Sequence, residues 1–197
     1  MDTPILQPQI AAKIAAIYER MEKAYDIVAK QLDFSCEGCP DNCCDSFFQH
    51  HTYIEWAYLW EGLNGLPAAK LAAIRERAEE YVAATERAAK KGEHPRLLCP
   101  LIEDGLCGLY QHRLMICRLH GVPSSITFPN GQVKKFPGCF RCQELKGERE
   151  VMPMVERASL LRDLALLEQE FMGANLGQMP KLKKTIAEMI ILGPPRL

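Results

Sequence analysis

The stretch CEGCPDNCC packs Cys36, Cys39, Cys43 and Cys44 into nine positions, and Cys99, Cys107, Cys117, Cys139 and Cys142 form a second zone. Thiolates are soft donors, and donor sets made only of thiolate select zinc or iron–sulfur clusters over hard cations. Cys36-Glu-Gly-Cys39 has the spacing that lets two sulfurs reach one metal ion, with Gly38 permitting the tight turn. Cys139-Phe-Arg-Cys142, preceded by Gly138, repeats that spacing, and two such pairs make one tetrathiolate site wherever a fold brings them together. Cys43 and Cys44 ask for another geometry. Neighbouring side chains diverge in most backbone conformations, so the adjacent pair suits two metals, two corners of a cluster, or one ligand beside one buried bystander. Nine thiols exceed what one four-ligand site takes and are enough for two. Spacing leaves zinc and iron–sulfur both open.

Plainer roles compete with these. Unpaired cysteine is among the most buried residue types, and Cys99, inside the apolar run LLCPLI, is a rival candidate for the core. His50 and His51 follow Cys44 closely, and either is a candidate ligand or proton donor, as is His120; a polar residue at a helix start is the ordinary alternative. Tyr110, Arg113 and Arg118 lie near Cys107 and Cys117 and are candidates for cofactor binding. There the cations would offset thiolate charge, although bonding to backbone carbonyls is the commoner use of such arginines. Trp56 and Trp60, at i and i+4, read as core. No GxGxxG, P-loop, HExxH, GxSxG or CxxxCxxC pattern occurs, so no catalytic residue is assigned.

The residues CEGCPDNCC followed by CPLIEDGLCGLYQHRLMICR resemble the CxxCxxxCC cysteine-cluster family, described as a zinc- or iron-chelating domain. The match runs through Cys36, Cys39, Cys43, Cys44, Cys99, Pro100, Gly105, Cys107, Tyr110, Arg113, Cys117 and Arg118, within about residues 36–142. Leu114 stands where that family usually has proline. The resemblance implies a bound iron–sulfur cluster or zinc, favours the cluster, and implies no settled reaction. Flagellin lysine methylases look like distant, larger relatives with similar cysteines.

The elements around these residues read as helical. Pro8 suits a first turn, and Ile10, Ile14, Ile17, Met21, Tyr25, Val28 and Leu32 form one apolar stripe ending where the cysteines begin. Ser46 and Gln49 have capping-box spacing and place a helix start directly after Cys44, with an end near Gly62. Further helices are expected from about Pro67 to Gly92, from Pro153 to Gly173 and from Pro180 to Leu192. The second cysteine zone is rich in Gly and Pro. Asn130-Gly131 inside SITFPNGQVKKF signals a type I′ hairpin near 124–136.

With 24 basic against 25 acidic residues, the chain lacks the basic excess of a nucleic-acid binder. Its longest apolar runs fall far short of the roughly 20 residues of a membrane helix. MDTPILQPQIAAK has no basic stretch before an apolar block, so no signal peptide is expected, and the cysteines belong to a reducing, cytoplasmic setting. A protein partner remains open. The expectation is one mainly α domain over residues 1–197, a helical scaffold around an irregular cysteine-rich centre at about 36–142. Its function is expected to be metal binding, with an iron–sulfur cluster in a redox or carrier role. The alternatives are an iron–sulfur-dependent oxidoreductase or protein-modifying enzyme, and a zinc-stabilised interaction module.

Overall fold

The computed structural model describes residues 6–37, 43–93, 96–145 and 151–196, and its architecture is mainly α. Pro8 opens α1 (Pro8–Leu32), where a missing N–H costs no hydrogen bond. The stripe Ile10, Ile14, Ile17, Met21, Val28 and Leu32 is buried along its length. A Schellman motif ends the helix. Asp33 turns left-handed at φ +51°, its N–H reaches the Lys30 carbonyl at 3.3 Å, and the Phe34 N–H reaches that of Ala29 at 2.9 Å.

Helix α2 (Tyr53–Asn64) is buried almost all round, as a helix without a polar face must be. It is the wall shared by two cores. On one side Ile54, Ala57 and Tyr58 meet α1 and α6 (Ala158–Met172). On the other, Trp56, Leu59, Trp60 and Leu63 share a core with α3 (Ala68–Ala89) and α7 (Ile186–Leu192). Both indole N–H groups donate to the Met189 carbonyl, at 3.1 Å from Trp56 and 2.9 Å from Trp60. The tryptophans are core, as the sequence suggests.

No helix starts directly after Cys44. Residues Cys43–Asp45 form a single 3-10 turn, and His50 pairs in an antiparallel bridge with Lys184. α2 begins only at Tyr53, because its cap comes from elsewhere: Glu168 of α6 accepts from the N–H groups of Tyr53 and Ile54, both at 2.8 Å. α2 also runs past Gly62 to Asn64. α6 starts at Ala158 rather than Pro153, since Val155–Glu156 is taken up as strand. α7 starts at Ile186 rather than Pro180, on a capping box of Thr185 and Glu188.

The strands are short. β1 (Ile102–Glu103) and β2 (Leu106–Cys107) form a hairpin around Asp104 (φ +49°) and Gly105 (φ +79°), the pair of left-handed residues a type I′ turn requires. β3 (Ser124–Thr127) pairs with β4 (Val133–Phe136) as expected, and with β5 (Val155–Glu156) in parallel. The turn at Asn130-Gly131 is not type I′, since of the two only Gly131 has positive φ. The Gly131 N–H bonds the Phe128 carbonyl at 2.9 Å, and Pro129 at the second position of that turn favours type I. Short helices α4 (Met115–Leu119) and α5 (Phe140–Glu144) complete the second cysteine zone.

Candidate functional site

Four of the thiols surround one cavity of about 50 Å³: Cys44, Cys99, Cys107 and Cys117. They arrive on four separate pieces of chain. Cys44 sits on the 3-10 turn, and its carbonyl accepts the Cys99 N–H at 2.9 Å, stapling two of the segments. Cys107 lies on β2, delivered by the Asp104-Gly105 turn. Cys117 lies on α4. All six pairs of these thiols are within electrostatic reach of each other.

A buried carboxylate anchors α4. Glu55 of α2, 2 % exposed, accepts from the Tyr18 hydroxyl at 3.0 Å, Thr52 Oγ1 at 2.7 Å and the Met115 N–H at 2.8 Å. Three donors compensate its burial and tie α1, α2 and α4 at one point. Leu114, just before α4, has φ −78°, a value proline also adopts.

Burial dominates the electrostatics. It pushes the Cys117 thiol up to about 12, with Arg113 opposing, and raises Cys44, Cys99 and Cys107 as well. As bare groups these thiols stay protonated and inert at neutral pH. A bound metal reverses that, because it ionises the thiols it binds. Arg113 lines the cavity and donates to the Cys117 carbonyl. Burial works against its charge, yet facing Cys117, Cys107 and Cys44 raises its pKa on balance. Arg118 turns to backbone, donating to the carbonyls of Arg113 at 2.7 Å and Gln111 at 2.6 Å, with its guanidinium 4.5 Å from the Tyr18 ring centre. Tyr110 is exposed, and its ring carries the Arg113 guanidinium at 5.1 Å.

Three histidines also line the cavity, and burial lowers the pKa of each. His112 packs on the Tyr58 ring at 4.6 Å and His120 meets Phe48 edge-on at 5.1 Å. His50 is 1 % exposed, and neither ring nitrogen has a hydrogen-bond partner among the described residues. His51 points elsewhere, its Nδ1 3.1 Å from the Leu182 carbonyl. Sequence reasoning held His50 and His51 equal; only burial separates them.

Cys36, Cys139 and Cys142 do not line that cavity. Cys36 is exposed, its Sγ 3.9 Å from the Tyr25 hydroxyl. Gly121 packs so closely on that hydroxyl that a Cβ would meet it at 2.5 Å, and the Cys139 N–H donates to the Gly121 carbonyl at 2.9 Å. Cys142 is fully buried in the α1–α6 core. Cys36 and Cys139 thus lie near Tyr25 and Gly121, and neither lines the cavity. Cys39 lies outside the described residues, and of Cys43 only the backbone is described. Among the described residues, no three His, Cys, Asp or Glu side chains close up to hold a single metal ion. The four cavity thiols form a ring around a space rather than a ready-made ion site. No protein-family model, curated protein or solved structure matches this chain.

Proposed function

We infer that this is a metal-binding cysteine-cluster protein that holds an iron–sulfur centre on Cys44, Cys99, Cys107 and Cys117 and uses it for electron transfer or as cargo. The observation that carries this reading is the ring of four mutually close thiols around one cavity. The donor set is all soft thiolate once ionised, which suits iron–sulfur. In a four-iron cluster each thiolate takes a different iron, so a ring too open for a single ion is no obstacle. Arg113 supplies a fixed positive charge against the thiolates. The four cysteines and Arg113 are also positions at which the chain resembles the CxxCxxxCC family. The bound centre would supply one-electron chemistry. The chain's own part is to enclose it, exclude water and balance its charge. A reducing, cytoplasmic setting goes with this reading.

Zinc is the other metal that an all-thiolate donor set selects, and it would serve a structural role. Anaerobic purification with metal analysis and an absorption spectrum separates the two. Brown protein with iron and acid-labile sulfide is the expected result. Colourless protein with zinc alone overturns the iron–sulfur reading. An enzymatic role would need a cluster iron with fewer than its full complement of cysteine ligands.

A further inference from the structure

His50 is held where a polar side chain has no ordinary reason to be. Its backbone is fixed by two hydrogen bonds to Lys184, N–H to carbonyl at 2.7 Å and carbonyl from N–H at 3.2 Å. His50 lines the same cavity as the four cysteines. Among the described residues neither ring nitrogen has a hydrogen-bond partner, sulfur included, which is destabilising, and leucine would fill the place at no such cost. Metal-bound thiolates are strong acceptors, and gathering the four sulfurs onto a metal repositions them within the cavity that His50 lines.

We propose that His50 is a positioning residue of the metal centre, its ring N–H donating to the thiolate shell when Cys44, Cys99, Cys107 and Cys117 hold metal. The hydrogen bond exists only in the loaded state. It stabilises the ligand sulfurs, slows loss of metal and, for an iron–sulfur centre, shifts the reduction potential. This rests on the metal reading above, and the experiment separates their failures.

The test compares the anaerobically purified full chain with its His50→Leu and His50→Gln variants, following release of the bound iron or zinc to a chelator and the melting temperature of the metal-stripped protein. His50→Leu should lose metal about ten- to a hundredfold faster, as outer-shell changes do. The stripped variant should melt no lower than the stripped wild type, because an unsatisfied polar group has gone. His50→Gln, which keeps an N–H donor, should recover part of the retention. Equal release from wild type and His50→Leu overturns the inference and leaves the metal reading standing. A lower melting temperature for stripped His50→Leu makes His50 an ordinary structural residue and also overturns it. A wild-type chain that holds no metal overturns the metal reading itself.

Discussion

Cys36 and Cys44 bracket one short stretch, and the fold treats them in opposite ways. Cys44 joins Cys99, Cys107 and Cys117 around a cavity, where burial suppresses ionisation and Arg113 faces the sulfurs. Cys36 stands in solvent against Tyr25, near Gly121 and the Cys139 backbone. Burial keeps the cavity thiols protonated at neutral pH, whereas an exposed thiol meets whatever oxidant or alkylating agent is in solution. Spacing in the sequence made these cysteines look like one set. Burial divides them.

Substitution tests the division most strongly. Cys117→Ser should abolish metal binding, whereas Cys36→Ser should leave metal content unchanged. Metal analysis of both variants reads this directly, and loss of metal from Cys36→Ser would merge the two regions into one site. The next effect is on pH. In the metal-free chain, Cys99 and Cys117 have thiol pKa values raised above those of the unfolded chain. Their contribution is complete below the ordinary thiol range near 8.5 and is lost as pH rises toward about 12, at roughly 1 kcal/mol per pH unit for each thiol. Loaded protein should show the reverse at lower pH, since binding releases protons and strengthens as pH rises. Urea midpoints against pH for stripped and loaded chain give both slopes; a flat profile for the stripped chain between pH 8 and 10 would mean that the cavity is open to water.

The smallest contrast lies in two glycines. Gly138 has φ +84°, and a Cβ there would meet the Gly121 carbonyl oxygen at 2.5 Å, so Gly138→Ala should cost at least about 2 kcal/mol while sparing metal binding. Gly105 has φ +79° with open space around it, so Gly105→Ala should cost only about 1 kcal/mol. Because that turn presents Cys107, Gly105→Ala should weaken metal retention. If Gly138→Ala weakens retention more, the separation of the two regions is wrong.

Local signals located the long helices well. The stripe of α1 and the proline at its start needed no tertiary information. The start of α2 was not legible, because its cap is Glu168, far along the chain, while Ser46 and Gln49 only imitate one. The sequence put the type I′ turn at Asn130-Gly131, and the structure has it at Asp104-Gly105. Pro129 steers Asn130-Gly131 into a type I turn, and Asp104-Gly105 takes the tighter form. Which cysteines share a cavity was beyond spacing, since Cys44 meets Cys99 through a backbone hydrogen bond between distant segments. His50 and His51 are identical letters side by side. Their difference lies in which one the bridge to Lys184 turns inward.

That bridge, with the Glu168 cap, also has a bearing on the order of assembly during synthesis. All four cavity cysteines leave the ribosome before Glu168 and Lys184, which hold the entrance to α2 and the backbone of His50. A nascent chain carrying every thiol therefore still lacks part of the cavity wall. The segment from Glu168 to Ile186 completes the chamber, so a metal donor acting before that segment emerges meets an open vessel, and one acting later meets a finished one.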